Sequence, residues 1–322
     1  MDRNRMLFCP DLATGLTTQV ISNELAEKVF GDKSFAELLK ARYDQMGHWF
    51  RDAHYNDSHW DLDAPFSDCK NKADRDKKDA RLVVPRSRLV SVPQNVTRLF
   101  DYDNFGHDMP IWVSYNQDPN AKRVMIVSQD PKRDNDVREN IYLSTPFGLH
   151  SKDWRNGNAQ VRRIAHILMT NGYCVYLTDS MKFYAGDGNV VRQSIEENDR
   201  DGYKSVFSRV LNAEIEKVDP KVIIKLGDDA LDSDYVDSVY ASSHNAFDGF
   251  DLQEIGGRRV IAVYHPNGTR GAIKRIRELV NNADRPVVTY YESIVQTAIN
   301  YLVDHAKPNF SKPQRDDSGC LS

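Results

Sequence analysis

The chain has 322 residues, of which 40% are hydrophobic and 28% are charged, a composition typical of a globular protein with one large domain or two ordinary ones. Its 43 basic and 47 acidic residues give a net charge of −4, which excludes a wholly basic nucleic-acid coat protein but not a local basic cleft. No apolar run approaches the roughly 20 residues that span a bilayer, and the first residues, MDRNRMLFCPDL, contain no apolar core long enough for a secretory signal, so we expect neither a membrane span nor a signal.

The cysteines predict a reducing, cytoplasmic location. The four of them lie far apart, without the paired spacing of a zinc ribbon or a disulfide scaffold (Cys9, Cys69, Cys174 and Cys320). They also do not reproduce the arrangement that would hold an iron–sulfur cluster. We therefore expect no metal and no cofactor.

The two ends of the chain differ from its middle. Residues 1–108 are predicted to form a mainly helical N-terminal extension, in which Ser34 and Glu37 have the spacing of a capping box for a helix that ends near Trp49. Residues 307–322 contain two prolines and few apolar side chains, and they predict a flexible tail.

The middle region, residues 109–306, alternates short apolar runs with amphipathic ones. The predicted strands are Val124–Val127, Cys174–Thr178, Val222–Leu226 and Val260–Tyr264, and the predicted helices are Ala159–Thr170, Tyr203–Lys217, Thr269–Val280 and Val288–Asp304. Strands that alternate with helices indicate βαβ units. The sequence therefore predicts an α/β fold with a parallel sheet and helices on both faces.

Three chemically versatile side chains follow predicted strands. Asp130 follows the first strand, Asp179 the second and His265 the fourth. Ligands of an open parallel sheet bind beyond the carboxyl ends of its strands, so these side chains are expected to converge. Taken singly, Asp130 could shape a turn before Pro131, Asp179 could cap a helix, and His265 could be a structural histidine. Their joint placement favours one site.

Several common catalytic motifs are absent from the sequence. There is no GxxxxGK[ST] and no GxGxxG, which argues against nucleoside triphosphate hydrolysis and dinucleotide redox chemistry. There is also no HExxH and no GxSxG, which argues against zinc proteolysis and a nucleophile elbow.

The strand-end segments resemble motifs of the uracil-DNA glycosylase superfamily. VMIVSQDPKRD (124–134) is similar to its first motif, and STPFGLH (144–150) to the element around a base-stacking phenylalanine. VYLTDSMKF (175–183) is similar to a strand that ends Thr-Asn-x-x-Lys, VIIKLGDDAL (222–231) to a strand followed by Leu-Gly and alanine, and VYHPNGTRG (263–271) to a His-Pro-Ser motif. The five segments occur in order between Lys122 and Val303, and the N-terminal third is not covered.

This resemblance implies a three-layer α/β/α sandwich around a four-stranded parallel sheet, and the excision of a base from DNA. Asp130 would stabilise the cation-like sugar and orient water, and His265 would stabilise charge on the base carbonyl. Phe147 would stack on the flipped base, while Gln129 and Asp179 would contact it. The partner would be DNA, double-stranded with a flipped base or single-stranded, and the protein a monomer without membrane contact.

Polar residues near the strand ends would contact the DNA backbone, namely Lys132, Asn267, Arg270, Lys274 and Arg275. Arg270 would also fill the gap left by the flipped base. A solvated helix face explains these charges about equally well. Asn267 departs from the resemblance, which has serine after His-Pro, and this weakens its assignment to phosphate binding.

Two departures from the uracil pattern point to a different base. Asp179 replaces an asparagine that reads uracil, and an ionised carboxylate accepts hydrogen bonds only, which suits the amino group of cytosine. Lys132 replaces a tyrosine that blocks the pyrimidine C5 position. The substrate is therefore predicted to be a C5-modified cytosine, such as glucosylated hydroxymethylcytosine of phage DNA, with a role in anti-phage defence. The alternatives are a uracil-DNA glycosylase of base-excision repair and a non-catalytic nucleic-acid-binding protein with the same fold.

Overall fold

The computed structural model describes most of the middle of the chain and a few short strands before it. The longer described ranges are 105–115, 121–128, 140–144, 159–185, 200–227, 250–265, 270–280 and 285–303. Residues 7–8, 54–56, 59–61, 83–85, 118 and 120 complete the described part.

The strands are β1 (Leu7–Phe8), β2 (His54–Asn56), β3 (His59–Asp61), β4 (Val83–Pro85), β5 (Phe105–Asp108), β6 (Ile111–Ser114), β7 (Arg123–Ser128), β8 (Asn140–Ser144), β9 (Cys174–Asp179), β10 (Phe183–Ala185), β11 (Val222–Leu226), β12 (Phe250–Ile255) and β13 (Arg258–Val263). The helices are α1 (Ala159–Thr170), α2 (Arg200–Val218), α3 (Arg270–Leu279) and α4 (Pro286–Val303). None of these four helices is long and apolar enough to cross a membrane.

The main sheet has seven strands in the order β1-β6-β9-β7-β11-β13-β12. Its centre is parallel, since β9, β7, β11 and β13 pair in the same direction, while β6 and β12 pair antiparallel at either side. The apolar residues 124–127 and 222–224 are fully buried, as expected for parallel strands covered on both faces. The α/β class predicted from the sequence is confirmed, and β1, β6 and β12, each joined to the sheet by antiparallel pairing, enlarge the predicted four-stranded sheet.

The central elements follow their predicted bounds closely, because each is an uninterrupted apolar or amphipathic run. Strand Val222–Leu226 and helix Ala159–Thr170 agree to the residue. The fourth predicted strand, Val260–Tyr264, instead spans Arg258–Val263, and Tyr264 already lies beyond the sheet.

The hairpin that contains edge strand β12 turns at a pair of glycines. A two-residue turn, Gly256-Gly257, joins β12 to β13, with Ile255 paired to Arg258. Both glycines have positive φ, 58° and 74°, which is the backbone requirement of a type I′ hairpin turn. A Gly-Gly pair between two strand-like runs therefore marked this hairpin.

The described residues of the N-terminal region form strands β1 to β5. β1 pairs with β6 in the main sheet, and β5 pairs with β8 and β10 in a second sheet of order β10-β5-β8-β4. The predicted helix from Ser34 to Trp49 and the predicted tail, residues 307–322, lie outside the described residues.

A bent two-stranded ribbon links the two sheets. β6 pairs antiparallel with β9 in the main sheet, and the adjoining β5 pairs antiparallel with β10 in the second one. At the bend the backbone N–H of Asp108 donates to the carbonyl of Lys182 at 2.7 Å. The ribbon thereby brings Asp108 beneath the carboxyl end of β9.

Candidate active site

The parallel strands bring polar residues together at one edge of the main sheet. Ser128, the last residue of β7, is in register with Asp179, the last residue of β9. The N–H of Ser180 donates to the carbonyl of Ser128 at 2.8 Å, and that of Gly227 donates to the carbonyl of Val263 at 2.8 Å. His265 follows β13 two residues later, at the same edge.

His265 lies close to the ends of two neighbouring strands. Its Nε2 is 3.3 Å from the Oγ of Ser128, and the side chain is half-buried. Gly227 follows β11 with a φ of +87°, where a Cβ would lie 3.5 Å from the Cβ of His265. The left-handed backbone at this position favours glycine, and with glycine here no side chain of residue 227 lies against the Cβ of His265.

The backbone immediately before His265 is bound by two tyrosines of α4. The N–H of Tyr264 donates to the Oη of Tyr290 at 3.2 Å, and the Oη of Tyr291 donates to the carbonyl of Tyr264 at 2.6 Å. We call these two side chains the tyrosine clamp. Both are 1% exposed, and burial raises the pKa of each phenol above its usual value. The clamp is therefore neutral throughout the physiological range.

Asp179 is buried at the end of β9, with 1% of its surface exposed. Its backbone N–H donates to Oδ2 of Asp108 at 3.2 Å. The strand end that carries Asp179 is thus bound by a carboxylate from β5.

Beneath Asp179 lies a group of fully buried polar side chains that we call the buried charge cluster: Asp108, Thr178, Lys182 and Glu214. The Nζ of Lys182 is 2.7 Å from Oε2 of Glu214, 3.2 Å from Oδ2 of Asp108 and 2.5 Å from Oγ1 of Thr178. Tyr176 donates to Oε1 of Glu214 at 3.0 Å. The three charged members are at most 1% exposed, so water does not screen their interactions.

The cluster has more carboxyl groups than cations. Burial raises the pKa of Asp108 to about 7, which the ammonium of Lys182 opposes and the carboxylate of Glu214 reinforces. Burial also raises the pKa of Glu214. Burial alone would lower the pKa of Lys182, but the attraction of Glu214 and Asp108 raises it above the usual value. Lys182 therefore stays charged, while Asp108 changes its protonation near neutral pH.

The cluster was not predicted from the sequence, although one of its members carried a signal. Asp108 was assigned to the N-terminal extension, 74 positions before its partner Lys182. Glu214 did carry a signal, because it shares one helix face with the buried Val210, Leu211 and Val218. A single carboxylate on an apolar face predicts a buried partner of opposite charge.

The remaining predicted site residues divide into three groups. Gln129, Asp130, Lys132, Phe147 and Asn267 lie outside the described residues, as do the side chains of Arg270 and Arg275. Lys274 is 80% exposed on α3, with its Nζ 3.8 Å from Oε1 of Glu278. Asp179 and His265 both lie at the sheet edge. Within the described ranges, no group of three His, Cys, Asp or Glu residues has the arrangement of a metal site.

Residues 115–280 match the family model of the uracil DNA glycosylase superfamily. The match covers more than half of the chain and includes β7, β9, β11 and β13. The chain belongs to this superfamily. The resemblance seen in the sequence is therefore confirmed. Superfamily membership indicates DNA glycosylase activity, with base excision as its chemistry and DNA as its partner. No curated protein matches the chain.

Proposed function

We propose that this protein is a DNA glycosylase that hydrolyses the N-glycosidic bond of a flipped pyrimidine and leaves an abasic site. One observation carries the proposal: Ser128, Asp179 and His265 meet at the carboxyl edge of the parallel sheet in a chain of this superfamily. That edge is where open α/β sheets bind ligands.

The residues have complementary roles in the hydrolysis. The bond between C1′ and the base nitrogen breaks, and its electron pair leaves with the base. His265 donates a hydrogen bond to the base carbonyl as negative charge develops there. Asp130 stabilises the cation-like sugar and accepts a proton from the water that adds to C1′. Phe147 stacks on the flipped base and holds it in the pocket.

Asp179 supports a cytosine-type substrate. A carboxylate can accept a hydrogen bond from the exocyclic amino group of cytosine, whereas the O4 of uracil offers only another acceptor. A protonated Asp179 could in addition donate to cytosine N3. Lys132 stands where one branch of the superfamily has a tyrosine that blocks the C5 side of the pyrimidine, and a flexible lysine need not close that side. We therefore infer a C5-modified cytosine, such as glucosylated hydroxymethylcytosine of phage DNA, and a role in anti-phage defence.

A basic surface on α3 supports binding to DNA phosphates. Lys274 and Arg277 are exposed on this helix, and Arg270 and Arg275 belong to the same segment. We assign Arg270, Lys274 and Arg275 to the DNA backbone, together with Lys132 and Asn267. Such contacts release counterions, so affinity should fall as salt rises.

Base release from four matched DNAs tests the proposal. The substrates contain cytosine, hydroxymethylcytosine, glucosylated hydroxymethylcytosine or uracil, and abasic sites are measured by strand cleavage after alkali. We expect release of a modified cytosine only, and Asp179→Asn should shift preference toward uracil. Unchanged selectivity in that variant would refute the role of Asp179.

Uracil is the second candidate base, and the superfamily match favours it. Release from the uracil DNA alone would establish this function and overturn the cytosine proposal. If His265→Ala retains the DNA affinity and the protein releases no base from any of the four DNAs, the non-catalytic binding protein would be the better description.

We also infer the three-layer arrangement. Tyr176 and Thr178 of β9 bond to Glu214 of α2, so this row of side chains faces α2. Successive strand residues point to opposite faces, and α1, which contacts β9, also contacts α4. The division at residue 108, the monomeric state and the cytoplasmic location stay predictions from the sequence.

A further inference from the structure

Tyr264 is the first residue beyond the ladder of β13. The last ladder bond at this end joins the N–H of Gly227 to the carbonyl of Val263. Beyond it, the tyrosine clamp supplies partners for both backbone groups of Tyr264. The backbone is therefore hydrogen-bonded for one residue beyond β13, up to His265.

The geometry of the clamp fixes a specific peptide plane. The carbonyl that accepts from Tyr291 belongs to the peptide bond between Tyr264 and His265. Because a peptide is planar, a bond to its oxygen orients the plane that also contains the N and Cα of His265. The placement of the Cα from which the imidazole extends thus depends on a hydroxyl from α4.

Packing holds the two hydroxyls in place. The rings of Tyr290 and Tyr291 lie edge to face, with centroids 5.0 Å apart, and the ring of Tyr290 lies 6.1 Å from that of Tyr264. One turn further along α4, Ile294 and Val295 are also buried. A hydroxyl in such surroundings costs free energy unless it is hydrogen-bonded, and the backbone of Tyr264 provides this bond.

We propose that Tyr290 and Tyr291 are positioning residues that hold His265 in the orientation required to stabilise the departing base. This inference rests on the proposed function, because it requires His265 to act on the base. Both tyrosines lie beyond residue 280, where the superfamily match ends. The clamp acts through the backbone and does not touch the substrate.

Tyr291→Phe tests the inference, since it removes the hydroxyl and keeps the ring. We expect the single-turnover rate of base release to fall about 10- to 100-fold, as small misplacements of catalytic groups cost factors of this order. The dissociation constant for DNA should stay within about twofold, because phosphate contacts dominate affinity. The matched control is Tyr173→Phe, a buried tyrosine before the amino end of β9, which should retain the wild-type rate.

A double-mutant cycle separates positioning from general stability. In a His265→Ala background, Tyr291→Phe should cause no further loss of rate. An equal loss in both backgrounds would show a structural role and overturn the inference. Full activity of Tyr291→Phe beside an impaired His265→Ala would also overturn it, while leaving the proposed function intact. Full activity of His265→Ala would instead refute the proposed role of His265.

A second readout does not require turnover. In nuclear magnetic resonance spectra, the imidazole signals of His265 should shift in Tyr291→Phe and remain in place in Tyr173→Phe. Unshifted signals would contradict the clamp. Tyr290→Phe, which removes the acceptor of the Tyr264 N–H, gives an independent variant if Tyr291→Phe does not fold.

Discussion

Two strand ends form the candidate site, and they are supported in opposite ways. At the end of β9, the backbone N–H of Asp179 donates to Asp108 of the buried charge cluster, in which Lys182 lies between the carboxyl groups of Asp108 and Glu214. Beyond the end of β13, His265 follows a backbone held by the neutral tyrosine clamp. Both the cluster and the clamp supply hydrogen-bond partners for backbone groups where the ladder of the sheet ends. The buried charge cluster titrates near neutral pH through Asp108, and the tyrosine clamp does not.

This difference separates the two roles that we propose for the site, base reading by Asp179 and stabilisation of the departing base by His265. The support of Asp179, which we propose to read the base, responds to pH, because the pKa of Asp108 is raised to about 7 by burial. The support of His265 does not change with pH below 10, the ordinary pKa of tyrosine, because burial raises both phenol pKa values. We expect base selectivity to depend on pH more than the positioning of His265 does.

The largest effect should come from breaking the charged support. Lys182→Met leaves the carboxyl groups of Asp108 and Glu214 without their cation, so we expect a loss of about 3–5 kcal/mol in the free energy of unfolding. Urea denaturation measures it. The control is Lys221→Met, which removes an exposed pair with Asp219 and should cost less than about 1 kcal/mol. Similar losses in the free energy of unfolding of the two variants would contradict the larger contribution that we assign to the buried charge cluster.

The neutral support should cost less to break. Tyr291→Phe removes one buried hydrogen bond and leaves the carbonyl of Tyr264 without that donor, for which we expect about 1–3 kcal/mol. Since the raised phenol pKa acts only above pH 10, this loss should be the same at pH 5 and pH 9. A loss that changed between these pH values would show that the clamp is coupled to a titrating group.

The pH dependence of stability should identify Asp108 as the titrating group. Its pKa rises from 3.8 to about 7 on folding, so the folded protein binds the proton more tightly. Its contribution to stability is therefore present below pH 4 and is lost as the pH rises toward 7. In Asp108→Asn the Asp108 part of this decrease should be absent, whereas the part from Glu214, whose pKa burial also raises, should remain, so the difference between variant and wild type should change from pH 4 to 7. Parallel curves would disprove the assignment.

The smallest effect should come from the exposed surface. Lys274→Gln removes one charge that is 80% exposed, so we expect no measurable change in stability. The salt dependence of DNA binding should lose about one unit of slope if Lys274 contacts a phosphate. Glu278→Gln, on the same helix, serves as the control that should not weaken binding. An unchanged slope in Lys274→Gln would place this residue outside the DNA interface.

Local patterns of sequence predicted the central elements well. The apolar run Val222–Leu226 and the amphipathic run Ala159–Thr170 are complete within themselves, and the structure has both. The convergence of Asp179 and His265 at one edge followed from the rule for parallel sheets. Strands β6 and β12, which flank the four parallel strands, were missed because they are short or alternate with polar residues.

The buried charge cluster and the tyrosine clamp could not be predicted from local sequence patterns. Asp108 meets Lys182 only because β5 and β6 run beside β9 and β10 in a bent ribbon, a pairing of segments about 70 residues apart. Likewise, Tyr264 meets Tyr290 across 26 positions through the packing of α4. Tyrosines in an apolar helix are ordinary core residues by pattern alone, so their hydroxyl partners become visible only in the fold.

The most direct test of the glycosylase proposal is single-turnover base release by the wild-type protein and His265→Ala on the four-substrate panel. We expect the wild type to release the modified cytosine, and His265→Ala to do so about 100- to 1,000-fold more slowly with similar DNA affinity. Equal rates for the two proteins, or release from none of the four DNAs, would contradict the proposed chemistry at this sheet edge.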